Sequence, residues 1–360
     1  MRIWMKRLGA ALLFLVMGLC FAPTLVPPFL DRIYYDGPAS GHYDGERFFN
    51  PGGNAAEVEV HERGRLSFLI GGSTGAAAEW PDRVPVRQTV PPRRVEGEAM
   101  RVTWIGHATV LVQTRGLNIL TDPVWSERVS PFSFIGPMRV RAPGVRFEDL
   151  PPIDLVLVSH NHYDHLDLAT LKRLWKRDRP LILTGLGNDT ILKDEGIEAT
   201  ALDWGGRARV TDGVEVMVER NHHWSSRWGT DRNRALWSAF TVTLPGGNIY
   251  FAGDTGWGDG SWATEAAAHG PFRLALIPIG AYEPRDFMAV NHINPEEAMR
   301  LFDQLDPAAA LGIHWGTFQL TWEPIDDPLR RLEALKRTRA GARDRFVTVE
   351  AGGSFEVPGL

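Results

Sequence analysis

Four side chains that can bind a metal stand within six residues, His160-Asn161-His162-Tyr163-Asp164-His165. They follow the apolar run Ile153–Ser159, which is typical of a strand buried on both faces. Residues i and i+2 of an extended chain point the same way, so His160 and His162 can hold one metal ion together. Asp164 and His165, where the chain turns toward a helix, point to a second position. Because zinc accepts neutral imidazoles and carboxylates, this segment predicts a metal site.

Three later strand ends carry side chains of the same kind. These predicted strands and the residues that follow them are Val214–Val218 with His222 and His223, Asn248–Ala252 with Asp254, and Ala309–Ile313 with His314. Any one of these residues alone would be an ordinary polar residue at a strand end, but together with residues 160–165 they can complete two metal sites. The chain has one cysteine, Cys20, so histidines and carboxylates must supply the ligands of any metal.

The elements that must position these residues begin near Met100, where short apolar runs ending in polar residues set in. Further strands are predicted at Arg101–Trp104, Val110–Gln113, Asn118–Leu120, Leu181–Thr184, Phe240–Leu244, Leu274–Ile279 and Phe346–Val349. Helices are predicted at Leu166–Trp175, Pro295–Leu305 and Leu329–Arg337, and a hairpin turn at Pro245-Gly246-Gly247. Mixed strands with interspersed helices indicate an α/β fold of sheets covered by helices, in which ligands collect at strand ends.

Composition limits the remaining classes of function. The 360 residues, 44% of them hydrophobic, can bury a large core in one domain or in two packed halves. The formal net charge of −5 provides no basic field, so no nucleic-acid partner is expected. The 13 tryptophans predict a Trp-rich core, with some of the rings in an apolar groove or a membrane-facing rim.

Residues 1–25 have the pattern of a signal peptide or an N-terminal membrane anchor. Arg2, Lys6 and Arg7 precede an apolar run, Leu8–Ala22, that prolines then interrupt. In both interpretations the basic end stays in the cytoplasm, so the protein is expected to be membrane-associated and exported to the periplasmic side.

The rest of the chain divides into two predicted parts. Residues 26–99 are rich in Gly, Pro and Arg and predict an irregular N-terminal arm. Their segment Gly71–Gly75 does not open an evident helix and is interpreted as a loop and not as a phosphate cradle. Residues 100–360 form the predicted main domain.

The ordered pattern HNHYDH, His223, Gly253-Asp254-Thr255-Gly256 and His314 resembles the metallo-β-lactamase superfamily. Longer motifs resemble the N-acyl-phosphatidylethanolamine-hydrolysing phospholipase D family. They are WIGHAT (Trp104–Thr109), LTDPVWSERVSP (Leu120–Pro131), GAYEPRDFM (Gly280–Met288), NPEEA (Asn294–Ala298) and IHWGTF (Ile313–Phe318). The likeness runs from about Met100 to about Phe318 and leaves residues 1–99 outside. It implies a metallo-β-lactamase fold, an αββα four-layer sandwich, with a hydrolase domain at 100–360.

The resemblance also implies two zinc ions per chain, with iron or manganese as chemically acceptable substitutes. The matching ligands are His160, His162 and His223 for the first ion, and Asp164, His165 and His314 for the second, with Asp254 bridging both. His222, next to a matching ligand, is the weaker choice. His292 matches a family histidine near the substrate phosphate, but here Asn294 replaces the acid of the family's His-x-Asp-Pro, which predicts weaker orientation of the neighbouring groups.

Four further features are assigned from their positions. His107 and Asp122 are predicted to hold ligand imidazoles in one tautomer, with turn formation as the alternative for Asp122 before a proline. Arg285 is a candidate contact for a lipid phosphate. Segment 131–137, with its two phenylalanines and an isoleucine, is predicted either to contact acyl chains or to belong to the core.

The reaction that this set predicts is hydrolysis of a lipid phosphodiester. A hydroxide held between two metal ions would attack phosphorus, Asp254 would orient it, and His292 would donate a proton or a hydrogen bond. The expected partner is a phospholipid or a membrane surface, and the oligomeric state stays open. Two alternatives remain: a lactonase or phosphoesterase for a soluble substrate, and a non-catalytic envelope protein that retains the fold.

Overall fold

Two seven-stranded sheets form the body of the protein. The computed structural model describes residues 2–25, 32–52, 77–339 and 341–360. The Gly-rich segment 71–75, predicted as a loop, lies outside these residues.

The first sheet combines a parallel half with an antiparallel half. Its strands are β1 (Met100–Gly106), β2 (Thr109–Thr114), β3 (Leu117–Thr121), β4 (Leu155–Val158), β5 (Leu181–Gly185), β6 (Thr200–Leu202) and β14 (Ser354–Glu356). They lie in the order β14-β1-β2-β3-β4-β5-β6. Strands β3 to β6 are parallel to one another, so their carboxyl ends share one edge of the sheet.

The second sheet has the same division. Its strands are β7 (Arg207–Thr211), β8 (Val214–Glu219), β9 (Ala239–Thr243), β10 (Asn248–Phe251), β11 (Phe272–Pro278), β12 (Ala309–Ile313) and β13 (Phe346–Val347). They lie in the order β13-β12-β11-β10-β9-β8-β7. Strands β10 to β13 are parallel, and the predicted hairpin turn at 245–247 joins antiparallel β9 and β10, with Val242 opposite Ile249.

The two sheets face each other across the main core. Leu155 and Leu157 of β4 pack in this core with residues of the second sheet, such as Phe240, whereas Val156 and Val158 pack in a separate cluster on the other face. All four residues of β4 are buried, as the continuous apolar run predicts. The side chains of β4 therefore contribute alternately to the core between the sheets and to the cluster on the outer face of the first sheet.

Helices cover the outer faces of both sheets. The helices that follow β4 in the chain are α2 (Leu168–Asp178), α3 (Asn188–Asp194), α4 (Ser261–Ala267), α5 (Arg285–Met288), α6 (Pro295–Leu305), α7 (Asp327–Thr338) and α8 (Ala342–Arg345). The helix α1 (Arg2–Leu25) precedes both sheets in the chain and exposes its apolar side chains, such as Phe14. Leu171 of α2 and Ile191 of α3 pack on the first sheet, and Trp262 of α4 and Phe302 of α6 pack on the second. The predicted αββα four-layer sandwich is confirmed. None of the described helices combines the length and apolar character that a membrane span requires.

The described parts of the N-terminal arm are irregular and lie against the main domain. Tyr34 Oη donates to Asp231 Oδ2 at 2.9 Å, and Trp80 Nε1 donates to the carbonyl of Glu323 at 2.9 Å. Asn50 Nδ2 reaches the carbonyl of His223 at 2.9 Å, so the arm supports a predicted ligand segment. The boundaries at residues 25 and 99 stay predictions.

The sequence patterns missed short elements. Helix α6 and strand β12 agree with their predicted ranges at both ends, but β6, β7, β14 and the short helices α3 and α4 were not predicted. The three missed strands lie at sheet edges, and the side chains of β7 are at best half-buried. Edge strands of three to five residues depend on pairing with a neighbour and carry little pattern of their own.

Two tryptophans join the sheets near their shared edge. The Trp104 ring stacks on Trp315 with centroids 4.7 Å apart, and Trp104 Nε1 donates to the carbonyl of His107 at 2.9 Å.

Trp104→Ala is expected to lower the free energy of unfolding by about 3–5 kcal/mol, because it removes a fully buried ring. Trp104→Phe, which keeps an aromatic ring and loses the hydrogen bond, should cost about 1 kcal/mol. Denaturant titration of both variants measures this, and equal losses would contradict a role for the stack.

Candidate metal centre

The predicted ligands converge because the strands that precede them end at one edge of the sandwich. Segment 160–165 follows β4, His223 follows β8, Asp254 follows β10 and His314 follows β12. All of these side chains except Asp164 and His162 are almost fully buried. Positions far apart in the sequence are thus joined by the shared direction of the parallel strands.

Asp254 lies at the centre of this group. Its Oδ2 has five imidazole nitrogens within 4.0 Å: His165 Nε2 at 3.0 Å, His314 Nε2 at 3.1 Å, His223 Nε2 at 3.9 Å, His292 Nδ1 at 3.9 Å and His160 Nε2 at 4.0 Å. A single carboxylate oxygen surrounded in this way can be shared by two metal positions, as predicted for Asp254.

The remaining ligands separate into two groups around Asp254. One group is His160, His162 and His223, and the other is His107, Asp164, His165 and His314. Within each group, one possible ligand atom from every residue lies within 4.8 Å of the others. His107 Nε2 is 2.9 Å from Asp164 Oδ2, so it reaches the second group directly through that carboxylate. The first group consists of the three residues that the family resemblance implies for one ion, and the second contains the three implied for the other ion together with His107, which was predicted only to support ligands.

The site has unsatisfied ligand atoms of the kind that a metal would satisfy. Within the described chain, His162 Nε2, His223 Nε2 and Asp254 Oδ1 are buried without a hydrogen-bond partner. Buried polar atoms normally have partners, and three such atoms in one site need an explanation. Metal ions coordinated by these nitrogens and this oxygen provide one.

The protonation states fit the same chemistry. Burial is the largest influence on His160, His162 and His223, and it lowers the pKa of each, to about 3 for His162. These imidazoles are therefore neutral at pH 7 and can donate a lone pair.

On the second side of the site the carboxylates dominate. Burial lowers the pKa of His314, but Asp254 and Asp164 together outweigh it and raise that pKa to about 9. The carboxylates thus require positive charge beside them, which either protons or metal ions can supply.

Asp122 and Ser159 contact the Nδ1 atoms of His165 and His160, whose Nε2 atoms face Asp254. Asp122 Oδ2 is 2.5 Å from His165 Nδ1 and accepts from Ser159 Oγ at 2.6 Å, while Ser159 Oγ is 2.9 Å from His160 Nδ1. The backbone φ of Asp122 is +30°, and His107 and His314 also have positive φ, at +56° and +62°. Positive φ is uncommon outside glycine, although Asp and His adopt it more readily than most residues, and such angles cluster at functional sites. The geometry is that of the positioning role predicted for Asp122.

His292 lies on the wall of the site, and its loop is fixed by Arg285. Arg285 Nη1 donates to the carbonyl of His292 at 2.8 Å, and Arg285 Nη2 donates to Glu297 Oε2 at 2.9 Å. These bonds give Arg285 a positioning role in the fold, and its contact with a substrate phosphate stays a prediction.

Asn294, which stands where the family has an acid, caps the helix that follows His292. Its Oδ1 accepts from the backbone N–H of Glu297 at 2.9 Å, and Glu297 Oε2 accepts from the backbone N–H of Asn294 at 2.9 Å. The two bonds form a capping box at the start of α6. Asn and Asp are comparable caps, so the exchange keeps a side-chain acceptor at this helix start, and its effect on the orientation of neighbouring groups stays a prediction.

His222 lies outside both ligand groups. Its ring lies against Gly258, and its backbone N–H donates to Thr255 Oγ1 at 3.0 Å. Neighbouring side chains of an extended segment point to opposite sides, so only His223 of this pair faces Asp254.

A cavity of about 200 Å³ opens onto the site. His162, Asp164 and Asp254 form its floor, and its walls include His292, Phe287, Met288, Leu320 and Trp224. Sequence reasoning did not identify the apolar wall residues, which come from helix α5 and from two other segments of the chain. The adjacency of Trp224 to His223, and the presence of Phe287 and Met288 in the motif at 280–288, were the available signals.

Comparisons with known proteins agree with this fold and site. The Beta-lactamase superfamily domain matches residues 117–315. The chain is 41% identical over 266 residues to N-acyl-phosphatidylethanolamine-hydrolyzing phospholipase D 1 of Caenorhabditis elegans, an alignment that covers 71% of this chain and 75% of that protein. The mitochondrial N-acyl-phosphatidylethanolamine-hydrolyzing phospholipase D of Saccharomyces cerevisiae is 34% identical over 256 residues, which cover 69% of this chain and 54% of that protein.

Solved structures show the fold at lower identity. An isothiocyanate hydrolase from Delia radicum gut bacteria superposes with a TM-score of 0.57 at 20% identity, over 71% of this chain and 98% of that one. The diiron β-hydroxylase CmlA of Streptomyces venezuelae superposes with a TM-score of 0.53 at 21% identity, over 73% of this chain and 54% of that one. Fold and site together define a hydrolase of the metallo-β-lactamase superfamily. Within that superfamily, the chain belongs to the N-acyl-phosphatidylethanolamine-hydrolysing phospholipase D family.

Removing two ligands of one group tests the metal site. The double variant His160→Ala/His162→Ala should retain much less metal than the native chain, because two of three imidazoles of that group are lost. Elemental analysis of protein purified without added metal measures the content per chain. His222→Ala, adjacent to a ligand but outside both groups, is the control and should keep native metal content. Equal metal in all three proteins would contradict the assignment.

The presence of Asn294 in place of the family's Asp gives a separate prediction. Asn294→Ala should lower the free energy of unfolding by about 1 kcal/mol, because the first turn of α6 loses its side-chain acceptor. Asn294→Asp, which restores the family's residue, should leave stability within a few tenths of a kcal/mol of native. Urea denaturation compares the three proteins, and a large loss in Asn294→Asp would show that the amide has another role.

Proposed function

We propose that this protein is a dinuclear zinc phosphodiesterase of phospholipase D type that hydrolyses N-acyl-phosphatidylethanolamine-like lipids. The observation that carries the proposal is the arrangement around Asp254, whose Oδ2 lies between two groups of metal-binding side chains beneath a partly apolar cavity. Membership in the family and the name of the C. elegans relative support the substrate class.

The proposed ligands divide as the two groups do. His160, His162 and His223 would hold one zinc ion; Asp164, His165 and His314 would hold the other, with Asp254 shared between them. The zinc pair, when bound, supplies a nucleophilic water at neutral pH and neutralises charge on the phosphate oxygens. The donors are nitrogen and carboxylate oxygen without thiolate, a set that also accepts iron or manganese.

The chain's own residues bind and orient the phosphodiester. His292 lies in the cavity wall with Nδ1 buried and without a hydrogen-bond partner among the described residues. Burial is the main reason that its pKa falls to about 4, although Asp254 raises it. At pH 7 the ring is therefore neutral, which favours hydrogen-bond donation to a phosphate oxygen over proton transfer from an imidazolium.

The cavity suits an amphiphilic substrate. Its floor carries the charged and imidazole groups that a phosphate requires, and Phe287, Met288 and Leu320 provide apolar walls for the adjoining chains. A small soluble lactone would use the floor and leave these walls without contact.

We also propose membrane association on the exported side, through the N-terminal segment. The support is the basic start followed by the apolar run 8–22, which lies within the helix α1.

Substrate assays separate the alternatives. The purified chain should release an N-acylethanolamine and a phosphatidic acid from N-acyl-phosphatidylethanolamine, as measured by mass spectrometry. Turnover of soluble lactones alone would favour the lactonase alternative, and full metal loading with no turnover on either panel would favour a non-catalytic protein.

His292→Ala should lower kcat on the lipid substrate by roughly 10²–10³-fold, because a donor to the charged phosphate is lost. Metal content should stay native, since the proposed ligand sets do not include this ring. Phe287→Ala is the matched control on the cavity wall and should change KM more than kcat. Loss of metal in His292→Ala would assign the ring to coordination instead.

A further inference from the structure

One exposed loop has an unusual surface. Residues 129–138 contain no charged side chain. Phe134 is 78% exposed, Ile135 58%, Phe132 49% and Met138 46%. Outside α1, no other stretch of the described chain exposes four large apolar side chains within seven residues. Exposed apolar clusters of this kind mark interaction surfaces, because their exposure to water is unfavourable. The prediction of a core position for segment 131–137 is wrong.

The structure holds this loop away from the domain by a closed neck. Arg128 pairs with Met138 in an isolated antiparallel bridge, and the Val129 N–H donates to the carbonyl of Pro137 at 3.1 Å. Arg128 Nη1 donates to the carbonyl of Gly136 at 2.6 Å. The Phe132 and Phe134 rings lie 5.6 Å apart at the tip. The apolar side chains are thus presented together at one end of a defined structure.

The neck continues directly into the wall of the active-site cavity. Arg139 pairs with Phe318, and the Val140 N–H donates to the carbonyl of Thr317 at 2.9 Å. Phe318 packs in one apolar cluster with Val129 and Leu320, and Leu320 lines the cavity. A continuous apolar path therefore runs from the base of the loop to the place where a lipid would bind.

We propose that the 129–138 loop inserts into the interfacial layer of a phospholipid bilayer and brings the cavity mouth onto the membrane surface. This inference rests on the proposed function, because a lipid-cleaving enzyme must take its substrate from a bilayer. Phenylalanine and isoleucine gain free energy on leaving water for acyl chains, and an uncharged tip avoids the desolvation of ions.

The charge at the neck favours a lipid surface over a partner protein or a second copy of the chain. The neck carries one acid, Glu127, and two basic residues, Arg128 and the buried Arg139, so positive charge is in excess there. Arg128 donates to a neutral carbonyl, which leaves its charge at the level where lipid phosphates would lie. Apolar insertion with a basic residue at the boundary is the arrangement of interfacial membrane binding.

A local fluorescent probe tests insertion independently of catalysis. The full chain has one cysteine, Cys20, so Cys20→Ser combined with Phe134→Cys allows a single environment-sensitive label, such as NBD, at the tip. With vesicles of phosphatidylcholine and phosphatidylglycerol, the label should shift to the blue and brighten at least about twofold as water is excluded. Cys20→Ser with Asp212→Cys is the control. Asp212 has a side chain 94% exposed and lies between β7 and β8, at the opposite end of β8 from His223.

Three outcomes are informative. A shift at position 134 and none at position 212 supports insertion, also in the case that no lipid is hydrolysed, so failure of the proposed function is distinguishable. No shift at either position overturns the proposal. A shift without vesicles that grows with protein concentration also overturns it, in favour of self-association.

A second variant measures the consequence for turnover. Phe132→Ser/Phe134→Ser/Ile135→Ser should lower kcat/KM on vesicle-embedded N-acyl-phosphatidylethanolamine by about tenfold or more, because apolar contact with the bilayer is lost. Turnover of a short-chain, monomeric phosphodiester should stay within twofold of native, and the melting temperature should be unchanged because the replaced side chains are exposed. Equal losses on both substrates would overturn the proposal.

Discussion

Two carboxylates and seven imidazoles share one largely buried site, and this constraint organises the structure around it. Buried carboxylates need positive charge beside them, whereas burial pushes most of these imidazoles toward the neutral form. The pKa of His162 falls to about 3, while that of His314 rises to about 9 under the influence of Asp254 and Asp164. Metal cations would satisfy both demands, because they neutralise carboxylates and accept the lone pairs of neutral imidazoles.

The sandwich supplies the rigidity that such a site requires. Four ligand segments emerge from the ends of β4, β8, β10 and β12, in two sheets that share one core. The backbone departs from favourable angles where it carries His107, Asp122 and His314. The stacked rings of Trp104 and Trp315 hold β1 and the end of β12 together, so packing across the core stabilises this local strain.

The surroundings of the site fit a membrane lipid. Polar groups line the floor of the cavity, and apolar side chains contribute to its walls. The uncharged 129–138 loop is followed by Arg139, which pairs with Phe318 beside the cavity. The capping box of Asn294 shows how the chain tolerates a change within a family motif. The helix start needs an acceptor and not a charge, so the amide maintains the loop that carries His292.

The sequence alone predicted the fold class and the segments that could bind a metal. The dense cluster of histidines and an aspartate at 160–165, and the polar residues directly after apolar strands, are local patterns that can be recognised in the sequence alone. Local pattern also predicted α6 and β12 at both ends, because a capping residue and a continuous apolar run mark their limits.

Only the tertiary structure decided what depends on contacts between distant residues. The way the strand ends meet places Asp254 at the centre of the site and brings Asp122 against His165. It also directs the His222 ring toward Gly258 and not toward Asp254. The same is true of the edge strands β6, β7 and β14, which depend on pairing with their neighbours. Segment 131–137 is the clearest case. Its apolar side chains would fit a core or a lipid-binding surface equally well, and only the exposure of Phe134, at 78%, excludes the core.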